Sequence, residues 1–276
     1  MDVLGYVPSL VAPAVKQLVI NADDFGLDSA VNAAVIQAHT TGILTSTSLL
    51  VTGPAVDEAV ALARQHPRLG VGVHLCLVQG RSALTGKEFP NSVLKITDDF
   101  EAELRAQIEK FLATGLHPTH LDSHMHTHMH PRVLPVVIRL AKEYRIRWVR
   151  TPWEEFQPVL RWPIFAILGR RARRQLRAAG LQTPERGVGV LHPGQLTENF
   201  LVNYLQHLPE GVTEIFFHPA TESNAALRDC QLGYQHAGEL QALCSPAARK
   251  LIETSGIKLV SFGDLTSGSI HDSLPA

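Results

Sequence analysis

The run Asp122-Ser123-His124-Met125-His126-Thr127-His128-Met129-His130 places four histidines at every second position directly behind a carboxylate. Neutral imidazole is the commonest protein ligand for borderline metals, and imidazoles beside a carboxylate are the set that hydrolytic metal sites use. A histidine-rich tract alone can also be a solvated patch that binds metal adventitiously. Further acids and histidines elsewhere in the chain weigh against that reading. Asp23 and Asp24 follow the apolar run 17–21, His74 ends the run 69–75, Arg150 ends 146–150, and His218 follows 212–217.

Singly these signals are weak. Asp23-Asp24 would serve as a helix cap, His74 as a satisfied core histidine, and His218, before Pro219, as a strand-end hydrogen-bonding group. Their conjunction is stronger, because buried acids and histidines are costly unless paired or metal-bound. One carboxylate with two imidazoles leaves coordination positions open for water and substrate, as a metal hydrolase needs.

The elements that must position these residues follow from periodicity. Short apolar runs at 17–21, 43–51, 69–75, 118–121, 146–150, 212–217 and 257–260 read as strands. Helices are expected at 28–41 (capped by Asp28 or Ser29 and stopped by Gly42), 55–65, 98–113, 131–144, 197–206 and 237–254. About seven parallel strands alternating with helices predict an α/β fold closing as a distorted (β/α) barrel, with its site at the C-terminal strand ends. All the polar residues named above fall at that end. An open doubly wound sheet is the alternative, but no glycine-rich dinucleotide loop is present.

Composition narrows the class. The 276 residues, 45% hydrophobic and 18% charged, fit one domain spanning 1–276. A net charge of -1 gives no general attraction to nucleic acid, so none is expected as a partner. Three dispersed cysteines, Cys76, Cys230 and Cys244, offer neither a disulfide framework nor a thiolate zinc site, which suits a reducing, cytoplasmic compartment. The first residues lack the pattern of a signal peptide, and no run reaches the ~20 apolar residues of a membrane span. A homo-oligomer is compatible with this composition.

Two segments interrupt the alternation. Residues 79–97 form a long loop after the third strand, where loops shape sites. Residues 151–195 form an insertion whose apolar stretch 162–168 runs into Arg170, Arg171, Arg173, Arg174 and Arg177. Such a segment, 162–177, either makes peripheral contact with the inner membrane face or packs as a lid helix with solvated arginines.

The motifs Asn21-Ala22-Asp23-Asp24-Phe25-Gly26-Leu27, Gly72-Val73-His74-Leu75, Pro118-Thr119-His120-Leu121-Asp122-Ser123-His124-Met125-His126 and Glu214-Ile215-Phe216-Phe217-His218-Pro219, with the segment 42–48, resemble the YdjC-like carbohydrate deacetylases. Within that family the Trp- and Arg-rich insertion is similar to the hopanoid-biosynthesis-associated members. The resemblance implies a distorted barrel, one divalent metal ion, and removal of N-acetyl groups from an amino sugar, either an N-acetylglucosaminyl hopanoid glycolipid or a chitooligosaccharide. It implies Asp24, His74 and His124 as metal ligands, Asp23 as general base and His218 as the acid for the leaving amine. The two aspartates could exchange roles, and His126 and His128 are alternatives to His124. His126 and Arg150 are candidate substrate-binding residues, Arg150 alternatively orienting Asp23 or forming a purely structural ion pair. The ligand set suits zinc, while the family leans to magnesium. The same ligands would serve a phosphoesterase or another amidohydrolase, and a non-catalytic sugar- or lipid-binding protein is the reading from another class.

Overall fold

The computed structural model describes residues 15–96, 99–154, 163–223, 227, 231 and 233–267. Seven parallel strands form one curled sheet: β1 (Lys16–Phe25), β2 (Ser46–Leu49), β3 (Gly70–Leu75), β4 (His120–Ser123), β5 (Trp148–Val149), β6 (Arg186–Val188) and β7 (Gly211–Phe217). Their order β5-β4-β3-β2-β1-β7-β6 is that of a barrel. Between β5 and β6 no ladder forms among the described residues, and closure rests on an isolated Trp148–Gln182 bridge and a Gly187 N–H bond to the Trp153 carbonyl. The expected distorted barrel is therefore present, left partly open along one seam.

The strand count matches expectation for a different reason. The run at 257–260 yields only β8 (Lys258–Leu259), which pairs with the foot of β1. The seventh barrel strand is β6, which lies inside the segment expected to be an insertion. That insertion also supplies a helix, α5 (Pro163–Ala178), while the part of it at 155–162 lies outside the described residues.

The remaining helices are α1 (Ser29–Thr41), α2 (Val56–Gln65), α3 (Phe100–Ala113), α4 (Leu134–Glu143), α6 (Glu198–Gln206), α7 (His236–Leu243), α8 (Pro246–Thr254) and α9 (Phe262–Ser267). Asp28 caps α1 by accepting from the Ala30 N–H at 2.8 Å. The single helix expected at 237–254 is broken in two, because Ser245 caps α8 and Pro246 occupies its first turn.

Strand alternation sorts the side chains into two shells. Leu18, Ile20 and Ala22 of β1, Val71, Val73 and Leu75 of β3, and Ile215 and Phe217 of β7 face the helices in the main apolar core. Val19, Trp148, Val212 and Val260 pack with Phe262 of α9 in a second cluster that plugs the foot of the barrel. Above that plug the interior is polar: Asn21, Asp23, Ser48, His74, His120, Asp122, Arg150 and Glu214 are all buried. Gly72 makes room for this layer, since a Cβ there would stand 2.4 Å from the His120 ring.

Candidate active site

The site is built from one irregularity in β1. Pairing between β1 and β2 shifts register between Ala22 and Phe25, and Asp24 takes the left-handed conformation, with φ 64°. Regular alternation would send consecutive aspartates to opposite faces. The bulge instead turns both carboxylates toward the barrel mouth, a device strands use to re-aim a side chain. Buried Asn32 of α1 fixes the following turn by accepting from the Gly26 N–H at 2.8 Å and donating to the Ala55 carbonyl at 3.0 Å.

The donor atoms of Asp24, His74 and His124 lie within 4.8 Å of one another, and all three residues are buried. Asp24 Oδ1 stands 3.3 Å from His74 Nε2 and 3.1 Å from His124 Nδ1, and Oδ2 accepts from Gln231 at 2.5 Å. Burial alone would push the Asp24 carboxyl up, but the two imidazoles hold it well below the usual carboxylate range. Burial likewise disfavours charge on His74, yet Asp122 beside it raises it to about 10.

The donor set fits a divalent ion. His74 gives its Nδ1–H to Asp122 at 2.7 Å, which leaves Nε2, buried and without a hydrogen-bond partner among the described residues, facing Asp24. His124 places Nε2 3.2 Å from the Gln79 carboxamide oxygen and turns Nδ1 to Asp24. Metal-ligating histidines characteristically carry such an acceptor on the second nitrogen. This buried group could therefore hold a metal ion. Asp23, His74 and Asp122 also cluster, but their carboxylate oxygens are already engaged by Arg150, Asn21, Ser48 and His74.

Arg150 is the hub of that engagement. Its Nη1 and Nη2 donate to the two oxygens of Asp23 at 2.7 Å each, Nη2 also reaches Asp122 at 2.7 Å, and Nε donates to Glu214 at 2.8 Å. Phe216 packs beneath, its ring centre 4.4 Å from the guanidinium carbon. Arg150 has 0% exposure, and its three carboxylate partners engage the whole guanidinium fork, an arrangement suited to orienting Asp23 from below.

His218 follows β7 with Nε2 3.8 Å from Asp23 Oδ2 and a buried Nδ1 that has no hydrogen-bond partner among the described residues. Its backbone is clamped by α7: Glu239 accepts its N–H at 2.5 Å, and His236 Nδ1 lies 2.7 Å from its carbonyl. Burial lowers the His218 pKa below the usual imidazole value.

The other histidines of the tract separate in role. Met125 and His126 both adopt left-handed φ, 52° and 53°, in the 3-10 turn His124–Met129, so the tract is no longer extended. His126 packs edge-on against Phe216 at 5.2 Å, with Nδ1 buried and unpartnered among the described residues. His128 is structural: Nδ1 meets Ser123 Oγ at 2.6 Å and Nε2 the Arg150 carbonyl at 3.0 Å, and burial lowers it to about 4. Gln79, Gln231 and Glu239 belong to no motif in the sequence: Gln79 lies four residues past β3, Glu239 within α7, and Gln231 is joined to Asp24 across 207 residues of chain.

Comparison with known proteins places this geometry in a lineage. A carbohydrate deacetylase of Brevibacillus brevis is 34% identical over 262 residues, covering 90% of this chain and 99% of its own. A chitooligosaccharide deacetylase of Salmonella paratyphi B is 31% identical, covering 91% and 99%. The crystal structure of an Enterococcus faecalis protein, provisionally described as a cellobiose-phosphate cleavage protein, superposes with a TM-score of 0.76 at 29% identity, covering 91% and 99%. The family model described as YdjC-like protein matches residues 17–254, and the chain belongs to that family.

Proposed function

We propose that the protein is a metal-dependent N-deacetylase that hydrolyses the acetamide of an N-acetylated amino sugar to acetate and a free amine. The observation that carries this reading is the Asp24–His74–His124 group, with Asp23 clustered against the same His74 and His218 Nε2 lying 3.8 Å from Asp23 Oδ2. A divalent ion held by Asp24, His74 and His124 would supply Lewis acidity at the amide carbonyl and acidify the attacking water.

The chain's own residues then move the protons. Asp23, held bidentate by Arg150 and steadied by Asn21 at 2.9 Å, takes a proton from the attacking water as general base. His218 is neutral at rest because burial lowers its pKa, so it must gain a proton before acting as an acid. Its Nε2, 3.8 Å from Asp23 Oδ2, is placed to receive that proton and pass it to the leaving nitrogen. His126, at the same mouth, is assigned to substrate hydroxyls.

For the finer substrate, an N-acetylglucosaminyl hopanoid is favoured by α5. This helix buries Gly169, Ala172 and Leu176 and leaves Ile167 and Arg170, Arg171, Arg174 and Arg177 exposed, a surface suited to an anionic bilayer at the inner membrane face. A chitooligosaccharide is the second reading, supported by the name of the Salmonella relative. Zinc suits one carboxylate with two imidazoles, and magnesium is the family's alternative. No helix among the described residues is long and apolar enough to cross a membrane.

The test is mass spectrometry of metal-loaded protein incubated with the glycolipid and with diacetylchitobiose in parallel, Asp23→Asn serving as control. Acetyl loss from the lipid alone supports the hopanoid reading, loss from the disaccharide alone supports the second, and loss from neither overturns the deacetylase.

A further inference from the structure

Gln79 sits four residues past β3 in a conformation that its side chain does not favour, with φ 53°. The backbone around it is tied down. Its N–H donates to the Pro90 carbonyl at 3.2 Å, the Gly80 carbonyl accepts from the Phe89 N–H at 2.7 Å, and Arg81 and Glu88 form an antiparallel bridge. Left-handed non-glycine residues persist where surrounding structure over-determines them, and they gather at functional sites. Gln79 also helps to line a cavity of about 700 Å³ whose apolar wall includes Leu27, Leu50, Pro54 and Phe89.

The carboxamide oxygen can only accept, so its contact with His124 Nε2 at 3.2 Å requires the proton on Nε2. A neutral imidazole has one N–H. Fixing it there leaves the lone pair on Nδ1, the atom 3.1 Å from Asp24 Oδ1. With the proton on Nδ1 instead, His124 would donate to Asp24 and lose the lone pair that a metal needs. His74 has the same safeguard from a carboxylate, Asp122. His124 has it from a neutral amide on a loop.

We propose that Gln79 is a positioning residue that sets the tautomer and ring orientation of His124 for metal binding, so that one side chain serves both the metal group and the wall of the adjoining cavity. This rests on Asp24, His74 and His124 being the metal ligands.

The experiment measures zinc affinity of the purified full chain by competition with a chromophoric chelator, alongside the thermal midpoint of the chelator-treated protein. Gln79→Ala is expected to bind zinc about ten- to a hundredfold more weakly, the usual effect of losing a partner to a ligating histidine. Gln79→Gly, which relieves the left-handed strain, should lose as much affinity while its midpoint holds or rises. Gln79→Glu, which restores an acceptor, should recover binding. Wild-type affinity in Gln79→Ala, or recovery of affinity in Gln79→Gly, overturns the proposal and leaves the metal reading intact. If the wild-type chain binds zinc no better than His74→Ala, the metal reading falls and this inference with it.

Discussion

Arg150 grips Asp23 through two hydrogen bonds of 2.7 Å, both residues lying at the centre of the barrel rather than at its surface. The same guanidinium compensates Asp122 and Glu214, so one cation organises three carboxylates. Asp122 in turn carries His74, so two buried residues, Arg150 and Asp122, link the proposed base to the metal group.

Replacing this cation should therefore cost both stability and turnover. Arg150→Met leaves three buried carboxylates without their partner, and breaking a buried pair from one side typically costs about 3–5 kcal/mol. Arg150→Lys keeps the charge but loses the planar fork, so denaturant melts should show a smaller loss. Its kcat should fall more than KM changes, because Asp23 is misaimed while the pocket is kept.

The roles of the paired aspartates and the histidines separate by metal analysis. Asp23→Asn should reduce kcat by about 10²–10⁴, the usual range for a general base, and retain bound metal. His74→Ala should lose metal and turnover together. Metal loss in Asp23→Asn would exchange the roles of Asp23 and Asp24.

Glu214 gives the chelator-treated protein a pH signature. Burial pushes its carboxyl up to about 7 against the pull of Arg150, and Oε2 is buried without a hydrogen-bond partner among the described residues. The fold therefore holds a proton here that the unfolded chain releases near 4.5. That contribution to stability is complete below the unfolded value and is lost as pH rises through about 7. Glu214→Gln cannot titrate, so its stability relative to wild type should rise between pH 5 and pH 8, as urea melts at the two values would record. A constant difference would remove Glu214 as the titrating group.

The packing of the polar layer is open to a one-atom test. A Cβ at residue 72 would meet His120 at 2.4 Å, and His120 is fixed by stacking on Phe262 at 4.2 Å and by Ser48 at 3.1 Å. Overpacking of this kind costs about 1–3 kcal/mol, so Gly72→Ala should lower the thermal midpoint, with Gly86→Ala, in open space but left-handed, as a milder comparison.

Much of this arrangement was legible because strand ends carry the chemistry. Asp23-Asp24, His74, Asp122 and His218 each border a buried apolar run, so the barrel rule alone collected them at one rim. Three features escaped for physical reasons. β6 is a three-residue strand of Arg-Gly-Val, too short for periodicity to register. The orientation of Asp24 depends on a bulge, which side-chain alternation cannot foresee. Arg150 looks like a rim residue in sequence, and only three carboxylates brought from separate strands make its complete burial tolerable.

Helix α5 includes no acid from Pro163 to Ala178. Ala172 and Leu176 anchor the helix on the core, while Arg173 is committed to the Glu185 carbonyl and to Trp153, so it is not a surface probe. Arg171 and Arg174, and Arg170 although its guanidinium lies 6.0 Å from the Trp153 ring centre, are exposed, as is Ile167 at 66%. Near an anionic surface each such arginine contributes about 1 kcal/mol, a term that salt screens. The protein should thus co-sediment with phosphatidylserine-containing vesicles at low salt and be released as ionic strength rises. The triple change Arg170→Glu, Arg171→Glu, Arg174→Glu should abolish sedimentation and leave deacetylation of a soluble substrate unchanged. Binding indifferent to salt and to these substitutions would make α5 a lid helix with solvated arginines.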